Sequence, residues 1–234
     1  GRGTNKSKLR LALVAPPGHK VVVADKSQIE CRINAYVCGQ QDLLGIFELK
    51  GDPYSVQASN IFEFKVDKNV HKIERFIGKG AVLGLGFGCG ADKFFNMVIR
   101  QARTLGMDMK VLMQIWSGTL AQKSVRVYRD HNTRIVSTWR RLQDILETAW
   151  LGVTSPVKWG PVVIGHGYVE GPNGLKMQYA NPRRCPDTGD LLYDYGRRTF
   201  RMYGPKFLEN IVQFLARINT MNDALRITDR TGYN

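Results

Sequence analysis

Two stretches of this chain carry residues whose types and spacing could do chemistry. The first reads VVVADKSQIECR, residues 21–32. Val21 to Ala24 predict a short strand, and Asp25 stands at its end with Glu30 five positions on. A carboxylate fixed at a strand end presents oxygen where a hard cation needs it. It could equally cap the helix that follows. The second stretch is ERFIGKGAVLGLGFGCGADKFF, residues 74–95. Arg75, Lys79, Leu83 and Phe87 recur at steps of four, so on a helix they form one stripe, cations at one end and apolar groups at the other. Such a stripe suits a nucleoside triphosphate, with guanidinium and ammonium on the phosphates and apolar side chains against sugar and base. The glycines at 78, 80, 84, 86, 88 and 90 would each cost a helix up to about 1 kcal/mol relative to alanine. Close approach of backbone or ligand would have to offset that.

Other readings of the glycine-rich stretch compete. A phosphate-binding P-loop needs GxxxxGK followed by Ser or Thr; Lys79 is followed by Gly80, so that reading fails. A dinucleotide motif is harder to dismiss. AVLGLG could be a buried strand, Gly86, Gly88 and Ala91 fit GxGxxA, and Asp108 lies at a distance suited to a ribose hydroxyl. That reading leaves DKSQIECR unexplained.

The elements that must position these residues are mostly helical. A turn at Pro16-Pro17-Gly18 leads into the Val21–Ala24 strand. Apolar periodicity predicts helices through Ile29–Val37 and Leu43–Leu49, a third opened by Pro53, and others over about 91–104, 117–131 and 133–150. The last two carry strongly basic faces, with Arg126, Arg129, Arg134, Arg140 and Arg141. VVIGHGYVEGPNGLKMQY predicts a hairpin turning at Pro-Asn-Gly, NPRRCPDTGD a loop, RRTFRMY a strand, and residues 205–225 a final amphipathic helix. The class is α+β.

Composition narrows the partner. With 34 Lys and Arg against 20 Asp and Glu, the net charge of +14 favours polyanions, nucleic acid above all. Neither the four cysteines nor the four histidines have zinc-ligand spacing, and Cys31 and Cys38 read as buried free thiols on a helix. No apolar run approaches the ~20 residues of a membrane span, and no leader is visible, so a cytoplasmic protein without membrane partners is expected.

Read together, the two stretches resemble known motifs. DKSQIECR is similar to motif A of the family A DNA polymerases, D-Y-S-Q-I-E-x-R. Arg75-x3-Lys79-x3-Leu83-x3-Phe87-Gly88 resembles that family's motif B, R-x3-K-x3-F-x3-Y-G. GDPYSVQASNIF, VYRDHNTRIVSTWRRL, GYVEGPNGLKMQY and YGPKFLENIVQFLAR resemble phage-encoded members, which would place the protein in a host cytoplasm. The resemblance implies a partial right-hand polymerase: a small antiparallel palm sheet bearing motif A in residues 1–68, helical fingers inserted over 69–150, and a further palm part in 151–234.

It also implies roles. Asp25 would bind two Mg²⁺ ions, helped by the carbonyl of Lys26. Glu30 would be the steric gate against a ribose 2′ hydroxyl. Arg75 and Lys79 would hold the triphosphate, with Lys79 the proton donor to the leaving pyrophosphate. Ser27, Gln28, Ile29, Leu83 and Phe87 would line the incoming nucleotide, and Gly88, Asn210 and Gln213 would touch primer–template DNA. Departures from the pattern bear on these roles. Lys26 stands for tyrosine, Leu83 for a sugar-facing aromatic, and Phe87 for the tyrosine whose hydroxyl would bond Glu30; Tyr54 sits where many members have a phosphate-binding histidine. No His-Asp pair of motif C occurs, and Asp229, expected in a polar turn, is a poor substitute. The expectation is therefore a polymerase segment ending before motif C and inactive alone, with the second aspartate supplied by a downstream segment or a second chain. The alternatives are a non-catalytic basic nucleic-acid-binding remnant and the dinucleotide-binding enzyme.

Overall fold

The computed structural model describes residues 12–232, and their secondary structure is α+β. In chain order come α1 (Ile29–Cys38), α2 (Gln41–Glu48), α3 (Pro53–Phe62), α4 (Lys72–Leu85), α5 (Ala91–Thr104), α6 (Met109–Ile115), α7 (Gly118–His131) and α8 (Thr133–Ile145). A π-helical turn, Leu146–Trp150, extends α8. Seven short strands follow: β1 (Val157–Trp159), β2 (Val162–Gly165), β3 (Tyr168–Glu170), β4 (Lys176–Gln178), β5 (Ala180–Arg184), β6 (Leu191–Tyr195) and β7 (Arg198–Met202). The closing helix α9 spans Gly204–Thr231.

The strands make two antiparallel sheets, β1-β2-β3-β4 and β5-β6-β7. The Pro-Asn-Gly turn joins β3 to β4 as its residues predict, with Gly174 at φ 78°. Part of the segment read as a loop is instead strand β5, and β6 was also unforeseen. Both carry prolines, charges or aspartate that single-sequence propensity disfavours, yet Leu191 and Met202, opposite each other in register, are buried in the core. Helix α6 and the run of α9 past Leu225 were likewise missed, and Asp229 therefore lies on a helix rather than in a turn.

One expectation is overturned outright. Val21–Ala24 form no strand, and Val22 and Val23 are 88% and 87% exposed. Branching at Cβ favours extended backbone, but a strand needs a neighbour for its N–H and C=O groups. No described residue pairs with this segment.

Two hydrophobic cores divide the work. The first gathers α1, α2, α8, α9 and the inner faces of both sheets around Trp150, Phe207 and Ile164. The second lies within the excursion from Ile61 to Tyr128 and centres on Phe94, Trp116 and Leu112. A fully buried side chain of this size stabilises by roughly 1.5–3 kcal/mol. Helix α4 belongs to both, with Val82 in the first core and Ile77, Ala81 and Leu85 in the second. Buried Gln40 ties the halves together: its Nε2 donates to the His131 carbonyl at 3.1 Å, and its Oε1 accepts from the amides of Arg134 at 3.0 Å and Ile135 at 3.4 Å. One side chain thus satisfies the end of α7 and the start of α8.

Packing explains Gly78 of α4 and Gly88 just beyond it, while Gly84 faces only the flexible tip of Met97. A Cβ on Gly78 would stand 2.2 Å from the Tyr54 carbonyl oxygen, and one on Gly84 2.7 Å from Met97 Cε. At Gly88, φ is +78° and a Cβ would meet Pro205 at 2.6 Å. AVLGLG is helix and turn rather than strand, and Asp108 caps α6 by accepting from the amides of Lys110 and Val111. Both facts remove the dinucleotide-binding reading, which needs a strand before its glycines.

Gly78→Ala is expected to destabilise the fold by about 1–3 kcal/mol through overpacking. Gly45→Ala, in α2 with open space around the new methyl, should instead stabilise by about 0.5–1 kcal/mol. Thermal denaturation of both variants checks the contrast. Burial pushes the Cys31 and Cys38 thiols up to about 12, whereas hydrogen bonds from Thr188 hold the partly exposed Cys185 below the ordinary thiol value. A thiol reagent near neutral pH should therefore modify Cys185 before the other three, and all four only in denaturant.

Candidate functional site

The start of α3 builds the floor of the site. Asp52 is its N-cap: one carboxylate oxygen, Oδ2, accepts from the Ser55 amide at 3.3 Å and the Ser55 hydroxyl at 2.7 Å. Pro53 occupies the first turn, where its missing N–H costs nothing. Because Gly78 lets α4 press on the Tyr54 carbonyl, the cations of α4 come down over this same turn. Arg75 Nε donates to Asp52 Oδ2 at 2.6 Å and Nη2 to Oδ1 at 3.2 Å, a two-pronged ion pair. The Arg75 guanidinium lies 5.4 Å and Lys79 Nζ 5.9 Å from the Tyr54 ring centre.

The VVVADKSQIECR segment reaches the same place. Gln28 Nε2 donates to Asp52 Oδ1 at 3.4 Å. To aim there Gln28 adopts φ 56°, ψ 31°, the left-handed region that non-glycine residues enter at a cost of about 1–2 kcal/mol. Glu30, in the first turn of α1, lies close enough to act electrostatically on Tyr54. Burial, then the charges of its neighbours, raise the Tyr54 phenol to about 12, so it stays neutral. Burial alone would raise Asp52 as well, but the hydrogen bonds from Arg75 and Ser55 outweigh it and hold the carboxyl below its usual value.

Gln28, Glu30, Arg75 and Lys79 are therefore gathered around Tyr54 and Asp52. Lys79 is exposed and has no carboxylate partner among the described residues. Ile29 and Leu83 are half-buried on α1 and α4. Phe87 lies beyond the end of α4, in the turn, where it packs on the first core. Ser27 is exposed, and its carbonyl accepts from Arg32 Nε at 3.1 Å. The Arg32 guanidinium stacks 4.2 Å over Phe47, which gives it a structural place by cation–π contact.

No hydrogen bond or ion pair joins Asp25, Asn210 or Gln213 to that cluster among the described residues. Lys26, beside Asp25, pairs with Asp223 and donates to the side-chain and main-chain oxygens of Asn219, which pins this loop to α9. Asn210 donates to the Tyr179 hydroxyl at 3.1 Å, and Gln213, exposed one turn on, reaches only Glu209 at 3.4 Å. Gly88 faces Pro205. Asp25 itself is exposed and has no hydrogen bond or ion pair with the cluster. Among the described residues no group of three or more His, Cys, Asp or Glu could hold a metal ion. One carboxylate and a neighbouring carbonyl can touch a Mg²⁺ ion weakly, but these residues by themselves do not fit a two-ion site.

Sequence reasoning missed Asp52, Asn219 and Asp223. The Asp-Pro pair signals a helix start, but nothing local announces that the same carboxylate also receives Arg75 from 23 residues on.

Comparison with known proteins gives a consistent result. Residues 1–105 match the family model for DNA polymerase family A. The chain is 29% identical over 251 aligned positions to the DNA polymerase of Bacillus phage SP02, covering 96% of this chain and 35% of that protein. It is 33% identical over 126 positions to DNA polymerase I of Chloroflexus aurantiacus, covering 52% of this chain and 12% of that protein. A similar match, 30% over 111 positions, is found with DNA polymerase I of Rhizobium leguminosarum. The chain thus spans about a third or less of the length of these relatives.

Asp52→Asn and Arg75→Ala, made singly and together, should show a coupling of about 1 kcal/mol in urea unfolding, modest because the pair is partly exposed. With the Asp52 carboxyl depressed in the fold, this contribution is full above the ordinary carboxylate value and is lost as pH falls through the folded value. The same cycle repeated in acid should approach zero.

Proposed function

We propose that this chain, supported by these matches as a family A DNA polymerase segment, contributes the nucleotide-selecting part of a template-directed DNA polymerase. The reaction is nucleotidyl transfer: a primer 3′ oxygen bonds to the α-phosphorus of a deoxynucleoside triphosphate, the α–β phosphoanhydride breaks, and pyrophosphate leaves. The single observation that carries this reading is the convergence of Gln28 and Glu30 with Arg75 and Lys79 around Tyr54. It joins the two resembling motifs, 40-odd residues apart, in one place.

In this reading Lys79, exposed and unpaired, meets the triphosphate and supplies a proton to the departing pyrophosphate. Arg75 is preoriented by Asp52 rather than free, so it offers its remaining N–H groups to phosphate at a fixed angle. Glu30 fills the space beside the sugar. Ser27, Ile29, Leu83 and Phe87 bound the nucleotide, and Gly88, Asn210 and Gln213 face primer–template DNA. The second core, from Ile61 to Tyr128, supports a fingers insertion between palm parts in 1–68 and 151–234, but Ile135, Leu142, Leu146 and Trp150, assigned to fingers over 69–150, pack in the first core with the palm parts. Mg²⁺ would supply activation of the primer hydroxyl; Asp25 would be one ligand, with the second aspartate from a segment or chain outside this sequence. The lone carboxylate also favours a second reading, a basic nucleic-acid-binding module without catalysis.

Primer extension with Mg²⁺ and the four deoxynucleotides distinguishes the two. Extension is expected when the chain is joined to a relative's His-Asp-Glu segment and not from the chain alone. It should be abolished by Asp25→Ala and slowed at least about 100-fold by Lys79→Ala. Salt-sensitive DNA binding without extension in either form would favour the non-catalytic module.

A further inference from the structure

The basic faces of α7 and α8 meet in a groove of about 420 Å³ that the nucleotide site does not use. Arg129 comes from the last turn of α7; Thr133, Ser137, Arg140, Arg141 and Asp144 come from one stripe of α8. All are exposed. None of the three arginines has a carboxylate partner among the described residues, although other arginines of this chain do, Arg183 with Asp194 and Arg201 with Asp190 among them. Three guanidinium groups against one aspartate leave the groove strongly positive. The Arg129 guanidinium is braced 5.9 Å from the Trp139 ring, which fixes one wall.

We propose that this groove binds the phosphodiester backbone of single-stranded nucleic acid. The inference rests on the nucleic-acid reading above and adds where an unpaired strand lies. Its volume gives room for a nucleotide unit of a strand flexible enough to bend into it. Guanidinium groups in a groove both neutralise phosphates and offer flat faces on which bases stack. The location is apt. The inner face of α8 packs on α1 and α9, and Trp139 Nε1 donates to the Gly86 carbonyl at 3.1 Å, in the turn that carries Phe87. A strand on the outer face of α8 would pass within about one helix diameter, ~10 Å, of that turn.

The test measures fluorescence anisotropy of a labelled oligothymidine of about 16 nucleotides, and of a blunt duplex, across a salt series. Arg129→Ala, Arg140→Ala and Arg141→Ala combined should weaken single-strand binding at least tenfold and reduce the salt slope by about 2, three contacts at roughly 0.7 each. Duplex binding should change less than about threefold. Ser137→Glu, which places a negative charge on the groove floor and suits a helix, should act in the same direction, with thermal melts showing that both variants fold. Equal loss in a charge-matched variant, Arg100→Ala with Arg103→Ala and Arg197→Ala, would overturn the assignment, as would equal loss of duplex binding. So would displacement of the strand by pyrophosphate at matched phosphate concentration, which would give the groove to free phosphate. Unchanged binding by the groove variants beside a wild-type chain that binds would overturn this inference alone. A wild-type chain that binds neither strand nor duplex would overturn the nucleic-acid reading with it.

Discussion

The crossing of α3 and α4 is the contact on which the candidate site depends. With no side chain at Gly78, α4 settles onto the backbone at Tyr54, where a Cβ would stand 2.2 Å from the carbonyl oxygen. That approach lowers Arg75 onto Asp52 and Lys79 over the Tyr54 ring. A helix held farther off would leave Arg75 to reach Asp52 through a less favourable side-chain conformation. The cost in helix propensity of Gly78 is therefore offset by packing, since a Cβ there would meet the Tyr54 backbone.

The same helix joins the two cores. Val82 belongs to the first core and lies near Leu43, Ile46 and Val56 of α2 and α3, whereas Ile77, Ala81 and Leu85 belong to the second core. Gln40 provides the other bond between halves by closing the α7–α8 joint. These links transmit the position of the first core to the cations of α4, so the site's geometry is a property of the assembled fold and not of any one element. Asp52 is the electrostatic centre of that geometry. It caps a helix, orients Arg75 and receives Gln28, and the bonds from Arg75 and Ser55 favour the ionised carboxylate.

The loop at Asp25 follows a different logic. It lacks a paired strand, and its fixed point is Lys26 on Asp223 and Asn219 of α9. The lysine that departs from the motif's usual tyrosine thus has a structural task of its own: it ties the carboxylate-bearing turn to the long helix that also presents Gln213.

Much of this was written in the sequence, because helical periodicity and capping are local. The helices at Ile29, Pro53, Ala91 and Gly118, the Pro-Asn-Gly turn and the buried thiols of Cys31 and Cys38 all follow from residues within a few turns of each other. The spacing of Arg75 and Lys79 likewise fixed their common face. What only the tertiary structure decided depends on partners distant in the chain. Val21–Ala24 has strand propensity yet no described neighbour to pair with, while β5, with Asn181, Pro182 and two arginines, pairs with β6 through a register shift between Ala180 and Arg183. Asp52 was not legible as a site residue, because its partner Arg75 arrives only when α4 crosses above it. A pattern of types can specify which face a residue lies on, but a long-range hydrogen bond needs both ends brought together, and that is settled by packing alone.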